Sequence, residues 1–137
     1  MALLFVYGSL KQGFPNFHVN KGRRVPGEFR TVQAHPLYLA NGHLPCLLPL
    51  PGQGHRVLGQ LFEVNVEELA AMDALERVGE PGGYERATID VVPADEPQAR
   101  AVQAFVYMQS RTRLDVPGTH VGPLAEYTLE HAKGLRW

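Results

Sequence analysis

Apolar residues along this chain fall in short stretches, and most of those stretches alternate with the two-residue period of an extended strand. The first is an unbroken apolar run from Leu3 to Tyr7, which reads as a buried strand and stops at Gly8. Arg24–Val32 reads as a second extended segment. Pro36–Ala40 and Leu44–Leu50 are two further extended pieces, separated by the turn signal Asn41-Gly42. A turn at Pro49, Pro51, Gly52 and Gly54 leads into Val57–Val64. There Val57, Gly59 and Leu61 point to one side and Leu58, Gln60 and Phe62 to the other, the pattern of a strand covered on both faces.

The period then changes. Asn65 has the chemistry of a helix N-cap, and Glu67 and Glu68 suit the positive end of the helix dipole. Leu69, Ala70, Ala71, Met72, Ala74 and Leu75 continue a helix that Gly79, Pro81, Gly82 and Gly83 bring to an end. Tyr84–Val92 and Ala99–Met108 alternate again as strands, joined by an acidic turn around Pro93–Pro97. A last helix is expected over Pro123–Lys133, closing at Gly134. Many strands, few helices and no regular strand–helix alternation predict an α+β fold, a small mixed β-barrel or curled sheet with flanking helices.

Composition narrows the function classes. At 137 residues, 45% hydrophobic and 20% charged, the chain is expected to fold as one domain, residues 1–137, with its own core. A net charge of −1 gives no reason to expect a nucleic acid or an anionic membrane as partner. No run reaches membrane-spanning length, and Met1–Val6 lacks the basic start and cleavage site of a secretory leader, so a cytoplasmic location is expected. The single cysteine, Cys46, lies among Pro45, Leu47 and Leu48 and reads as a small buried apolar residue. The six histidines are scattered, with no H-x-x-x-H or C-x-x-C pair, so neither a metal nor another cofactor is expected.

Two features carry candidate chemistry. After Gly8 come Ser9, Lys11, Gln12, Gly13, Pro15 and Asn16, a loop whose backbone N–H groups can face an anion. The spacing of Gly8 and Gly13 matches a phosphate-binding loop, but Phe14 and Pro15 stand where that motif needs Lys and Ser or Thr. An ordinary surface turn accounts for the same residues. The second feature is Glu76, four residues after Met72 and seven after Leu69, which places it on their side of the helix. Burial there raises a carboxylate's pKa and makes it a proton acceptor near neutrality. Asp73, Glu80 and Glu85 are competing carboxylates; Asp73 stands one turn before Arg77 as a ready ion-pair partner, and Arg86 is a further candidate to pair with Asp73 or Glu76.

These residues recur in an ordered set. Ala2-Leu-Leu-Phe-Val-Tyr-Gly-Ser-Leu-Lys-Gln-Gly-Phe-Pro-Asn16 opens it. Leu44-Pro45, Leu48-Pro-Leu-Pro-Gly52, Val57-Leu-Gly-Gln-Leu-Phe-Glu-Val64, Met72-Asp-Ala-Leu-Glu76, Tyr84-Glu-Arg86 and Ala104-Phe-Val-Tyr107 follow. Together they resemble the gamma-glutamylcyclotransferase-like family, and within it the gamma-glutamylamine cyclotransferases, from Met1 to about Met108. The resemblance implies a compact barrel with flanking helices and a pocket beside the first loop. It implies Glu76 as the general acid/base, and the loop Tyr7, Gly8, Ser9, Leu10 as the holder of a glutamyl group. Tyr84 and Tyr107 join as pocket residues, available to a substrate carboxylate or to the core. The link Arg77–Gly83 is longer than the family usually has.

The reaction so implied is intramolecular aminolysis, in which the α-amino nitrogen of a small gamma-glutamyl substrate attacks its own γ-carbonyl, forms 5-oxoproline and expels an amine. No metal and no covalent intermediate is needed, and Ser9 has no histidine beside it in sequence to make it a nucleophile. Two alternatives stand beside a gamma-glutamylamine-type substrate. One is a different gamma-glutamyl compound, such as a gamma-glutamyl amino acid or a protected biosynthetic intermediate. The other is a non-catalytic protein that binds a small acid. A monomer is compatible with all three.

Overall fold

The computed structural model describes residues 2–40, 42, 44–110 and 120–133. Among the described residues there are eight strands: β1 (Ala2–Val6), β2 (Arg23–Arg24), β3 (Phe29–Thr31), β4 (Leu37–Ala40), β5 (Leu44–Leu47), β6 (Leu58–Val64), β7 (Glu85–Pro93) and β8 (Val102–Met108). Two helices accompany them, α1 (Val66–Leu75) and α2 (Leu129–Ala132). Strands β1, β8, β7, β3 and β6 pair in that order, and β6 pairs back onto β1, so the sheet closes into a mixed barrel with β2 as an extra strand on β6. Among the described strands of this sheet only the β1–β8 seam is parallel. β4 and β5 form a separate hairpin.

The continuous apolar run of β1 is explained by what lies on its two sides. Phe5 and Tyr7 point into the barrel with Leu61, Ile89, Val91, Ala104, Val106 and Met108. Leu4 and Val6 point outward, under Leu69 and Met72 of α1, together with Phe62 and Val64. β6 is likewise covered on both faces, as its alternation predicts. It passes very close to β1 at Gly59, where a Cβ would stand 2.5 Å from the Val6 carbonyl oxygen and 2.7 Å from the Phe5 ring. The helix start holds as expected: the Asn65 side chain accepts from the Glu68 amide at 2.7 Å, and the Glu68 carboxylate accepts from the Asn65 amide at 2.9 Å.

Two expectations change in detail. The segment expected to run extended from Arg24 to Val32 is two strands, because Pro26-Gly27 interrupts it. Seven residues from Arg23 to Phe29 face only five on β6, from Glu63 to Gly59, so the chain bulges outward between β2 and β3. The expected helix over Pro123–Lys133 shrinks to Leu129–Ala132, capped by Thr128. The open edge of β4 and the start of β6 account for this. Val121 exchanges hydrogen bonds with Leu39, Leu124 donates to the Leu37 carbonyl, and the Ala125 carbonyl accepts from Leu58. Those ladder bonds hold 121–125 extended, and the helix begins only after Tyr127 is buried. Gly134, and the Asn41 of the expected hairpin turn, lie outside the described residues; Gly42 has the left-handed backbone such a turn needs, with φ 77°. Cys46 is fully buried, as expected. Among the described residues no helix is long and apolar enough to cross a membrane.

Candidate active site

At the end of β1 the backbone leaves the barrel and turns tightly. The Lys11 amide donates to the Gly8 carbonyl at 3.1 Å, and the Asn16 amide to that of Ser9 at 2.9 Å. Buried side chains fix this loop from three sides. Asn16 Nδ2 donates to Ser9 Oγ at 2.9 Å, Asn20 Nδ2 to the Leu10 carbonyl at 3.1 Å, and the Gln12 amide donates to Gln60 Oε1 at 2.8 Å. Lys11, read from the sequence as a polar turn residue, is only 3% exposed. Its ammonium donates to the Tyr127 carbonyl at 2.5 Å and lies 4.3 Å from the Phe14 ring centre, while burial pulls its pKa down. The amides of Ser9 and Leu10 donate to no acceptor among the described residues. The loop is rigid backbone with N–H groups to spare, and Gly8 packs against Pro45, whose Cγ would lie 3.1 Å from an added Cβ.

Glu76 lines one pocket together with this loop. It is the residue at which α1 ends, its amide bonding to the Met72 carbonyl, and its own carbonyl accepts from the Tyr84 amide at 2.9 Å. Helix end and strand start are thereby tied together, and the link 77–83 folds back as a closed loop. Gly83 is indispensable there, since a Cβ would stand 1.9 Å from the Arg77 carbonyl oxygen. The Glu76 side chain is buried, and its Oε2 has no hydrogen-bond partner among the described residues. Burial pushes its pKa up to about 7. An unpartnered carboxyl group that titrates near neutrality is poised to take up and release a proton.

The competing carboxylates have other partners. The expected Asp73–Arg77 pair is not formed. Arg77 has φ 58°, which takes it off the helical path, and it pairs with Glu80 at 3.5 Å instead. Asp73 is held by Arg86, with Nη1 at 2.6 Å from its Oδ2. Glu80 and Glu85 are exposed, as their glycine-rich surroundings suggest.

Three tyrosines complete the site, and each has already committed its hydroxyl proton to an oxygen that can only accept. Tyr7 donates to the Tyr107 carbonyl at 2.6 Å while accepting from the Leu47 amide at 3.2 Å. Tyr84 donates to the Pro45 carbonyl at 2.5 Å, and Tyr107 donates to Asp73 Oδ1 at 2.7 Å. Burial above all, with smaller contributions that in each case include the Glu76 charge, holds all three phenols well above their ordinary pKa, so none ionises near neutrality.

Tyr7, Gly8, Ser9, Leu10, Glu76, Tyr84 and Tyr107 all line one narrow cleft of about 330 Å³ counted out to its mouth, so the structure brings together every site residue singled out in the sequence. Phe5, Val6 and Pro45 line it as well. Pro45 was missed as a site residue. The signal was present in a proline inside an apolar strand segment, whose carbonyl faces a partner other than the sheet. Asp73, read as a rival carboxylate and an ion-pair partner, also holds a cleft tyrosine.

Comparison with known proteins bears on this cleft. A family model described as "Gamma-glutamyl cyclotransferase, AIG2-like" matches residues 4–128. A human protein named gamma-glutamylaminecyclotransferase is 37% identical, the alignment covering 100% of this chain and 96% of the human one. A bovine protein of the same name is 35% identical over 100% of this chain and 82% of its own. The crystal structure of a mouse AIG2-like protein superposes with a TM-score of 0.77 at 36% identity, covering 100% of this chain and 95% of the mouse chain.

Proposed function

Because the chain belongs to the gamma-glutamyl cyclotransferase, AIG2-like family, we propose that its cleft cyclises a gamma-glutamylamine to 5-oxoproline and a free amine. The observation that carries this reading is the pairing of an unpartnered buried carboxyl group, Glu76, with the unused amides of Ser9 and Leu10 in one cleft. Relatives named for the gamma-glutamylamine reaction support that substrate class.

In this mechanism the α-amino nitrogen forms a bond to the γ-carbonyl carbon, and the bond from that carbon to the leaving nitrogen breaks. The attacking nitrogen passes from ammonium to lactam and sheds two protons. The departing nitrogen gains two and leaves as an ammonium ion, so no proton is gained or lost overall. Glu76, with its pKa near 7, takes protons from the first nitrogen and returns them to the second. The loop amides stabilise the tetrahedral oxyanion, where each donor contributes roughly 2.7–4 kcal/mol. Tyr7 and Tyr84 shape the walls, and Tyr107 stands next to the carboxyl group. Holding one molecule folded on itself supplies up to roughly 7–11 kcal/mol through orientation. Ser9, whose Oγ accepts from Asn16 and has no base beside it, is a donor to the substrate and not a nucleophile.

The reading also holds that residues 1–137 act as a single domain, that the chemistry proceeds without a metal, and that the enzyme works in the cytoplasm. Its test is incubation of the protein with a panel of gamma-glutamylamines and gamma-glutamyl amino acids, measuring 5-oxoproline. Release from the amines by the wild type, slowed by roughly 10²- to 10⁴-fold in Glu76→Gln, is the expected result. Release only from gamma-glutamyl amino acids would change the substrate class, and no release from any compound would leave a binding protein.

A further inference from the structure

We propose that Asp73 is a positioning residue that sets the polarity of the cleft: by accepting the hydrogen bond of the Tyr107 hydroxyl it leaves that oxygen free to act as an acceptor for the substrate's α-ammonium group. This rests on the cyclotransferase reading for the identity of the substrate.

A phenol has one proton, so its direction decides what it can bind. A carboxylate paired with a guanidinium has no proton to offer, so the 2.7 Å contact between Tyr107 Oη and Asp73 Oδ1 has only one polarity. Arg86 enforces it. Its Nη1 lies 2.6 Å from the other Asp73 oxygen, and its guanidinium rests 4.8 Å from the centre of the Phe105 ring, next in sequence but one to Tyr107. Tyr7 and Tyr84 have also given their protons to carbonyls. The three phenols therefore offer no donor to the cleft, and a substrate carboxylate finds none on this side.

The loop after β1, which lines the same cleft, has the reverse character. There the Ser9 and Leu10 amides are unused, and Ser9 Oγ, already accepting from Asn16, keeps its own proton to donate. The cleft is thus donor-lined along the loop and acceptor-lined around Glu76 and Tyr107. A zwitterionic amino acid end fits in one orientation only, with the ammonium group toward Glu76 and Tyr107. That orientation puts the attacking nitrogen beside the base. The surface pair Asp73–Arg86, with its partners 26% and 32% exposed, is of little value for stability by itself.

The test compares a gamma-glutamylamine with its des-amino counterpart, the monoamide of glutaric acid with the same amine, which binds without cyclising. Tyr107→Phe is expected to raise KM for the amino compound about tenfold while the inhibition constant of the glutaryl compound stays within about twofold. Asp73→Ala is expected to do the same in the wild-type background and to add nothing in the Tyr107→Phe background. A parallel rise of both constants would overturn the proposal, as would an Asp73→Ala effect undiminished when Tyr107 is already Phe. Tyr107→Phe keeps the Asp73–Arg86 pair intact, so it decides the question even if Asp73→Ala does not fold. If the wild type turns over no gamma-glutamyl compound, the cyclotransferase reading fails separately. Calorimetric binding of the two compounds to wild type and Tyr107→Phe then decides the polarity claim: a loss confined to the amino compound supports it, and equal affinities overturn it.

Discussion

Along the loop wall of the cleft, from Gly8 to Leu10, the groups offered to a ligand belong mainly to the backbone, and buried side chains such as Asn16, Asn20 and Gln60 serve to hold that backbone in place. Around Glu76 and Tyr107 the offered groups are themselves side chains; the Asp73 carboxylate holds the Tyr107 hydroxyl, and the Tyr84 amide ties down the Glu76 backbone. The two walls should therefore respond to substitution in different ways. Removing a side chain from the second deletes chemistry. On the first, adding a side chain or loosening an anchor displaces chemistry that remains present.

The sharpest test of the side-chain wall is Glu76→Gln, which is close to isosteric. Turnover should fall by roughly 10²- to 10⁴-fold with an unchanged circular dichroism spectrum; turnover within tenfold of wild type would remove Glu76 from the mechanism. The same substitution should alter the pH dependence of stability. Glu76 moves from an ordinary value of 4.5 to about 7 on folding, so the folded state retains a proton that the unfolded chain releases. Its contribution is fully present below pH 4.5 and is lost as pH rises through about 7. Relative to wild type, Glu76→Gln should gain on the order of 3 kcal/mol between acid and mildly alkaline pH in denaturant titrations. A constant difference across that range would mean the carboxyl group is not desolvated in solution.

The backbone wall is probed by smaller changes. Gly8→Ala brings a methyl group 3.1 Å from Pro45 Cγ, which must shift by a few tenths of an ångström and carries the acceptor of Tyr84 with it. A drop in kcat/KM of about tenfold is expected, with under about 1 kcal/mol lost in stability. Equal losses in both would mean the loop is a structural turn only. Ser9→Ala should have the least effect, about fivefold in kcat/KM, the value of one hydrogen bond. A loss near 10⁶, as for a removed nucleophile, would reverse the assignment of chemistry to the amides.

The same asymmetry governs what was legible in the sequence. Phe5-Val-Tyr-Gly-Ser-Leu10 announced both strand and loop, because an apolar run ending in glycine has few other solutions. The Asn65 cap, the two-sided β6 and the side of α1 that Glu76 shares with Leu69 and Met72 were equally readable, being local or periodic. What escaped depends on partners distant in sequence. Arg86 was readable as a partner for Asp73 or Glu76, but nothing in the sequence chose between them or removed Arg77 from the competition. Nothing near Lys11 announces Tyr127 as the acceptor of its ammonium group. The final helix was misjudged for the same reason, since residues 121–125 are drawn into extended form by strand edges more than sixty residues earlier, at Leu58 and Leu37–Leu39.

The Tyr7 hydroxyl bond to the Tyr107 carbonyl spans 100 positions in the chain, and the Lys11 bond to Tyr127 spans 116. During synthesis the loop is made well before β8 and Tyr127, the surfaces that shape it. Helix α1 and Glu76 emerge midway with no tyrosine seam to enclose them. Completion of the cleft accordingly waits on β8 and Tyr127. A nascent chain halted before β8 would carry the proposed acid/base and the oxyanion amides and still be inert toward free substrate.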